Sequence, residues 1–145
     1  MWSRTPPVRD ACSMATLDHA HSLLRLAQRD CDALVGMQAS ALFADAIFGF
    51  HAQQAVEKAL KAWLTVRGRS YPFTLDLAGL LMRLQDAAAD VERFWPLERF
   101  SVYGILARYE ESDPDADEPL DRQAIVAEVA ALLTHVATVL DAAGD

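Results

Sequence analysis

The sequence predicts an all-α protein, an antiparallel up-and-down helical bundle of four to five helices. Three observations carry that expectation. From about residue 16 onward, apolar residues recur at alternating steps of three and four, the spacing of one helix face. Hydrophobic residues make up 52% of the chain, and much of that fraction is Ala and Leu, which favours helix over strand. No run alternates with period two over enough length to make a strand.

The first helix is expected over roughly 16 to 36, with Ala20, Leu24, Ala27, Cys31 and Leu34 on one seam and Gly36 as its stop. The second and longest spans roughly Ser40 to Arg67, with Ser40 as N-cap and Gly68 just past its end. Tyr71-Pro72-Phe73 breaks the chain, and Thr74 caps a third helix that runs to about Ala88 and buries Leu77, Leu80, Leu81 and Leu84. A joint at Phe94-Trp95-Pro96 precedes a fourth helix, about Leu97 to Glu110. Ser112 to Pro119 is acidic, holds two prolines and reads as an exposed loop. The last helix, about 120 to 142, sets Ile125, Val129, Leu132, Val136 and Val139 on one seam. Short joints between long helices make neighbours antiparallel.

A chain of 145 residues suits one domain with its own core. That domain is expected over 16–145, behind an irregular leader at 1–15, with Met14 as an alternative translation start. The leader carries Arg4 and Arg9 but no apolar core, so it is not a signal peptide. No stretch reads as the ~20 apolar residues of a membrane span, and the expected setting is cytoplasmic, away from membranes. The net charge of −8 opposes broad capture of nucleic acid, although a local basic patch is compatible with it. Cys12 and Cys31 make no disulfide framework, and Cys31 falls on an apolar face as a small hydrophobe.

The second helix carries the functional information. One face holds Ala52, Val56, Ala59, Leu60, Trp63 and Val66, an ordinary core stripe. The opposite seam holds Phe43, Ile47, Phe50, Gln54, Glu57 and Lys61 at heptad-like spacing, apolar in its first half and polar in its second. The apolar half calls for a cover, and a second copy of the chain is the expected one. For the polar half two readings stand. Glu57 and Lys61 make an i,i+4 pair on a solvated face, or Gln54, Glu57, Lys58 and Lys61 line a groove for a partner or a phosphate-bearing ligand.

The run Gln53-Gln54-Ala55-Val56-Glu57-Lys58-Ala59-Leu60-Lys61 resembles the central helix of HEPN domains. The resemblance continues through Arg67-Gly68, Pro72 and Thr74-Leu75-Asp76-Leu77 to Tyr103 and Arg108-Tyr109, covering about residues 16 to 142. It implies a small helical bundle, commonly dimeric. Many such proteins partner minimal nucleotidyltransferases in toxin–antitoxin pairs; others are metal-independent ribonucleases or noncatalytic nucleotide- or RNA-binding modules. Ribonuclease members use an Arg followed four to six residues later by His, and no arginine here has that His. Arg108 is followed instead by Tyr109-Glu110-Glu111-Ser112-Asp113, whose carboxylates oppose RNA phosphate and cannot replace an imidazole near neutral pH. Leu75 also stands where many members carry His.

Elsewhere the chemistry is sparse. His19 and His21 are two apart and face away from each other on a helix, so with Asp18 they make no metal site. Asp113, Asp115, Asp117 and Glu118 lack the glycine and terminal Glu of a calcium loop. Arg108 is read as a phosphate or carboxylate fork beside a stacking Tyr109, and His135 as a half-buried core histidine. The expectation is therefore a homodimeric binding or regulatory module without cofactor or metal, paired with a minimal nucleotidyltransferase, with nucleotide or RNA as ligand. Its site residues are Gln54, Glu57, Lys58, Lys61, Arg108 and Tyr109. The alternatives are an RNA-cleaving toxin with an unusual residue set and a purely structural dimerisation domain.

Overall fold

Ser13 starts the first helix: its Oγ accepts the Thr16 amide at 3.1 Å and relieves one of the amides left over at a helix start. The computed structural model describes residues 13–71, 76–109 and 119–144, the side chains of 106–109 excepted. Its elements are α1 (Met14–Met37), α2 (Asp45–Val66), α3 (Leu77–Asp86), a 3-10 stretch (Glu92–Phe100), α4 (Ser101–Tyr109) and α5 (Arg122–Gly144). The protein is an all-α helical bundle, with no strand among the described residues.

Helix α1 begins inside the expected leader and runs through Gly36, so that glycine does not end it. The α1–α2 joint is a larger correction. Ser40 is not the cap of α2; its Oγ accepts the Leu42 amide inside the joint, and the helix begins at Asp45. The cause lies far along the chain, at Arg122. Its guanidinium donates to the carbonyls of Met37, Ser40 and Phe43 and to Asp45 Oδ1, holding 38–44 as a non-helical turn. Phe43 consequently lies before α2 and not on its seam.

Helices α2 and α3 end alike. After α2, Gly68 takes φ 72°, its amide bonds to Thr65 O and the Arg69 amide returns to Leu64 O. After α3, Ala88 takes φ 65°, with Ala88 N on Gln85 O and Ala89 N on Leu84 O. A side chain in that left-handed region costs roughly 1 kcal/mol. Ala88→Gly is therefore expected to raise stability by about 1 kcal/mol, or about 3 °C in Tm, by thermal denaturation. An unchanged or lower Tm would mean that glycine's extra freedom in the unfolded chain cancels the relief.

The start of α3 is also corrected. Asp76, not Thr74, caps it, accepting the Ala78 amide at 3.1 Å, while Thr74 lies outside the described residues. The expected fourth helix divides in two: the chain winds tightly as a 3-10 stretch around Pro96, which has no amide to donate, and relaxes to α geometry only at Ser101. Helix α5 buries Ile125, Val129, Leu132, Val136 and Leu140, with Val139 half-buried. It is also long and apolar enough to cross a membrane by length and composition, contrary to the expectation that no segment is. Here that apolar stripe packs on α1 and α2.

Those three helices form the core around Phe48, Trp63, Leu34, Leu60, Leu132 and Leu140. The start of α5 meets the end of α1 and the start of α2 through Arg122, and Leu17 lies beside Gly144. Helix α5 thus runs antiparallel to α1 and in the direction of α2. The return between them is made by α3, the 3-10 stretch and α4, which bring α4 onto the polar side of α2.

Candidate functional site

Four polar side chains step along α2 at intervals of one turn, Gln53, Glu57, Lys61 and Thr65, and all four are buried. Gln53 Nε2 donates to Glu57 Oε1 at 2.8 Å, Lys61 Nζ donates to Glu57 Oε2 at 2.9 Å, and Thr65 Oγ1 donates to the Lys61 carbonyl at 2.8 Å. Gln54, half-buried, donates to Gln53 Oε1 at 2.7 Å and extends the line toward the surface. At the other end the Lys61 ammonium lies 5.1 Å from the centre of the Tyr71 ring, whose hydroxyl bonds His19 Nε2 at 2.9 Å.

Helix α4 closes on the first member of this line, Gln53. A Cβ on Gly104 would come within 3.0 Å of the Gln53 side chain, and one on Gly49 would overlap the Tyr103 ring. The two glycines let the helices close onto each other. Glu57 and Lys61 are only 9% and 7% exposed, so the solvated-face reading fails. An ion pair so placed is costly to desolvate and is held by the hydrogen bonds on its remaining atoms.

Lys58 does not join this line. It turns to α1, where Asp30 accepts Lys58 Nζ at 2.7 Å on one oxygen and bonds His51 Nδ1 at 3.0 Å on the other. The six expected residues therefore divide. Gln54, Glu57 and Lys61 share one network, Lys58 lies one turn past Gln54 but pairs with Asp30 of α1 instead, and Arg108 and Tyr109 sit on the last turn of α4 with side chains outside the described residues. The acidic residues Asp113, Asp115, Asp117 and Glu118, and Cys12, lie outside the described residues as well.

Sequence reasoning missed Gln53, Thr65, Asp30 and His51. The four-residue spacing of polar side chains through an Ala-, Leu- and Trp-rich stretch was the available sign for the first two; no pattern within one helix announces the Asp30 cluster. Among the described residues, no three His, Cys, Asp or Glu side chains converge as metal ligands. Cys31 is buried, and burial, followed by the nearby Asp32 carboxylate, pushes its thiol above the ordinary range, which suits packing and not nucleophilic attack.

Large apolar side chains remain exposed outside this network. Leu42, Phe43 and Ile47 are 89%, 39% and 47% exposed, and Val102 and Ile105 of α4 are exposed too. Of the apolar half of the expected seam, Ile47 is exposed on α2, Phe50 is half-buried and Phe43 lies before the helix.

A family model for the HEPN domain matches residues 20–138. No curated protein and no solved structure matches the chain.

Proposed function

The chain belongs to the HEPN domain family, and on that footing we propose that it is a cytoplasmic binding and regulatory module, a homodimer that partners a minimal nucleotidyltransferase in a toxin–antitoxin-type or nucleotide-binding system. The observation that supports this reading is the exposure of the large apolar side chains Leu42, Phe43 and Ile47 around the start of α2, with Val102 and Ile105 exposed on α4. Large apolar side chains left exposed close together along the chain, as Leu42, Phe43 and Ile47 are, mark a surface made to be covered. Gln54, Lys58, Arg108 and Tyr109 are the proposed contacts to a partner or phosphate-bearing ligand, with Glu57 and Lys61 bracing Gln54 through Gln53. RNA or nucleotide is the ligand class that Arg108 and Tyr109 suit, as a fork and a stacking face.

Sedimentation at micromolar concentration is expected to give twice the 16.0 kDa of one chain. Ile47→Glu is expected to give the monomer with an almost unchanged Tm, because its side chain is already exposed. Purified protein in chelator should leave single-stranded RNA intact. A wild-type monomer would sink the dimer, and RNA cleavage abolished by Arg108→Ala would promote the toxin reading over the module.

A further inference from the structure

His135 of α5 is held from two sides. Its ring centre lies 4.8 Å from that of Trp63 on α2 and 5.3 Å from that of Phe94 in the 3-10 stretch. Arg93, next to Phe94, places its guanidinium 4.6 Å from the Phe94 ring centre and meets His135 Nδ1 at 2.9 Å. An arginine only donates, so Nδ1 accepts and the imidazole proton sits on Nε2. The contact therefore exists only while the ring is neutral. A second proton would turn the acceptor into a donor and set two cations against each other.

The rest of the surroundings does not compensate. Trp63 is 1% exposed, and its Nε1 is the buried side-chain polar atom left without a partner among the described residues. Burial first, and then the Arg93 charge, lower the readiness of His135 to take a proton, while Asp90 at the head of the 3-10 stretch works weakly the other way. The 3-10 stretch makes few contacts with α5 and passes directly into α4, which covers Gln53.

We propose that the Arg93–His135 contact is a pH-sensitive latch that fastens the 3-10 stretch to α5 and releases it when His135 is protonated. Above neutrality the latch is closed, the aromatic cluster of Trp63, Phe94 and His135 is packed, and α4 is fixed at its leading end. As pH falls below about 6.5, the ordinary histidine value, protonation breaks the contact and loosens residues 92–100 and the start of α4. Helix α4, which carries Val102 and Ile105, is thereby tied to the charge state of His135 on α5.

Nuclear magnetic resonance of the full chain between about pH 7.5 and pH 5 tests this. Amides of 92–100 and the Trp63 indole N–H are expected to shift together with the His135 ring, at one midpoint below about 6.5, with exchange about tenfold faster than the change in pH alone gives. His135→Asn places an untitratable acceptor where Nδ1 was, and its spectra should stay in the closed form throughout. Arg93→Met removes the donor, and 92–100 should exchange fast already at pH 7.5. The latch is overturned if His135 titrates while 92–100 and Trp63 do not respond, or if His135→Asn shows the same transition as the wild type.

Discussion

Replacing Arg122 by alanine is expected to lower stability by about 3 kcal/mol. All five N–H donors of that guanidinium are used, on Met37 O, Ser40 O, Phe43 O and Asp45 Oδ1, the last accepting from both Nε and Nη2. Its plane also lies 5.0 Å from the Phe48 ring centre. One side chain thus satisfies the end of α1, shapes the joint, anchors the start of α2 and fixes the start of α5, whose Leu120 amide bonds Asp45 Oδ2 at 3.1 Å. Alanine strands Asp45, which is mostly buried, along with three carbonyls. For a domain of this size the Tm should fall by roughly 6–12 °C. Arg122→Lys should recover only part of this, since an ammonium restores the charge on Asp45 but cannot span three carbonyls in a plane. A Tm within about 2 °C of the wild type for Arg122→Ala would show that water replaces the guanidinium without penalty.

That residue also explains where reading the sequence stops. The helices themselves were legible, because each presents its own seam: Ala20, Ala27, Cys31 and Leu34 are buried on α1, and Ile125, Val129, Leu132 and Val136 on α5. The helix starts were less so. Ser40 has the chemistry of a cap, but the joint around it is dictated by Arg122, 82 positions away, and no local preference for capping competes with that many charge-assisted bonds. Gly68 was readable as a stop, because only the backbone of that turn decides it; Ala88 adopts the same geometry without any sign in its identity. In the candidate site, the i,i+4 spacing of Glu57 and Lys61 was visible, whereas their burial was not. It comes from other elements: at Gln53, the first member of that line, Gly104, a residue with no side chain, arrives from α4. A period within one helix says which residues share a face and nothing about what covers it.

The second large effect tests that burial directly. Lys61→Glu is expected to lower stability by roughly 3–5 kcal/mol, because it removes the partner of Glu57 and sets a second carboxylate where the ammonium was 2.9 Å away. On a solvated face the same change would cost a few tenths of a kcal/mol, so the two accounts differ about tenfold. Thermal denaturation decides between them, and a shift under about 2 °C would return the pair to the surface. A second variant separates charge from shape. Glu57→Gln with Lys61→Met keeps the side-chain lengths, leaves an amide to pair with Gln53 and strands no charge, so it should regain most of the lost stability. With the fold restored, this double variant also bears on function. If it still binds the proposed nucleotidyltransferase partner, the ion pair serves as scaffold behind Gln53 and Gln54; if binding is lost at near-normal Tm, the charges themselves are read by that partner.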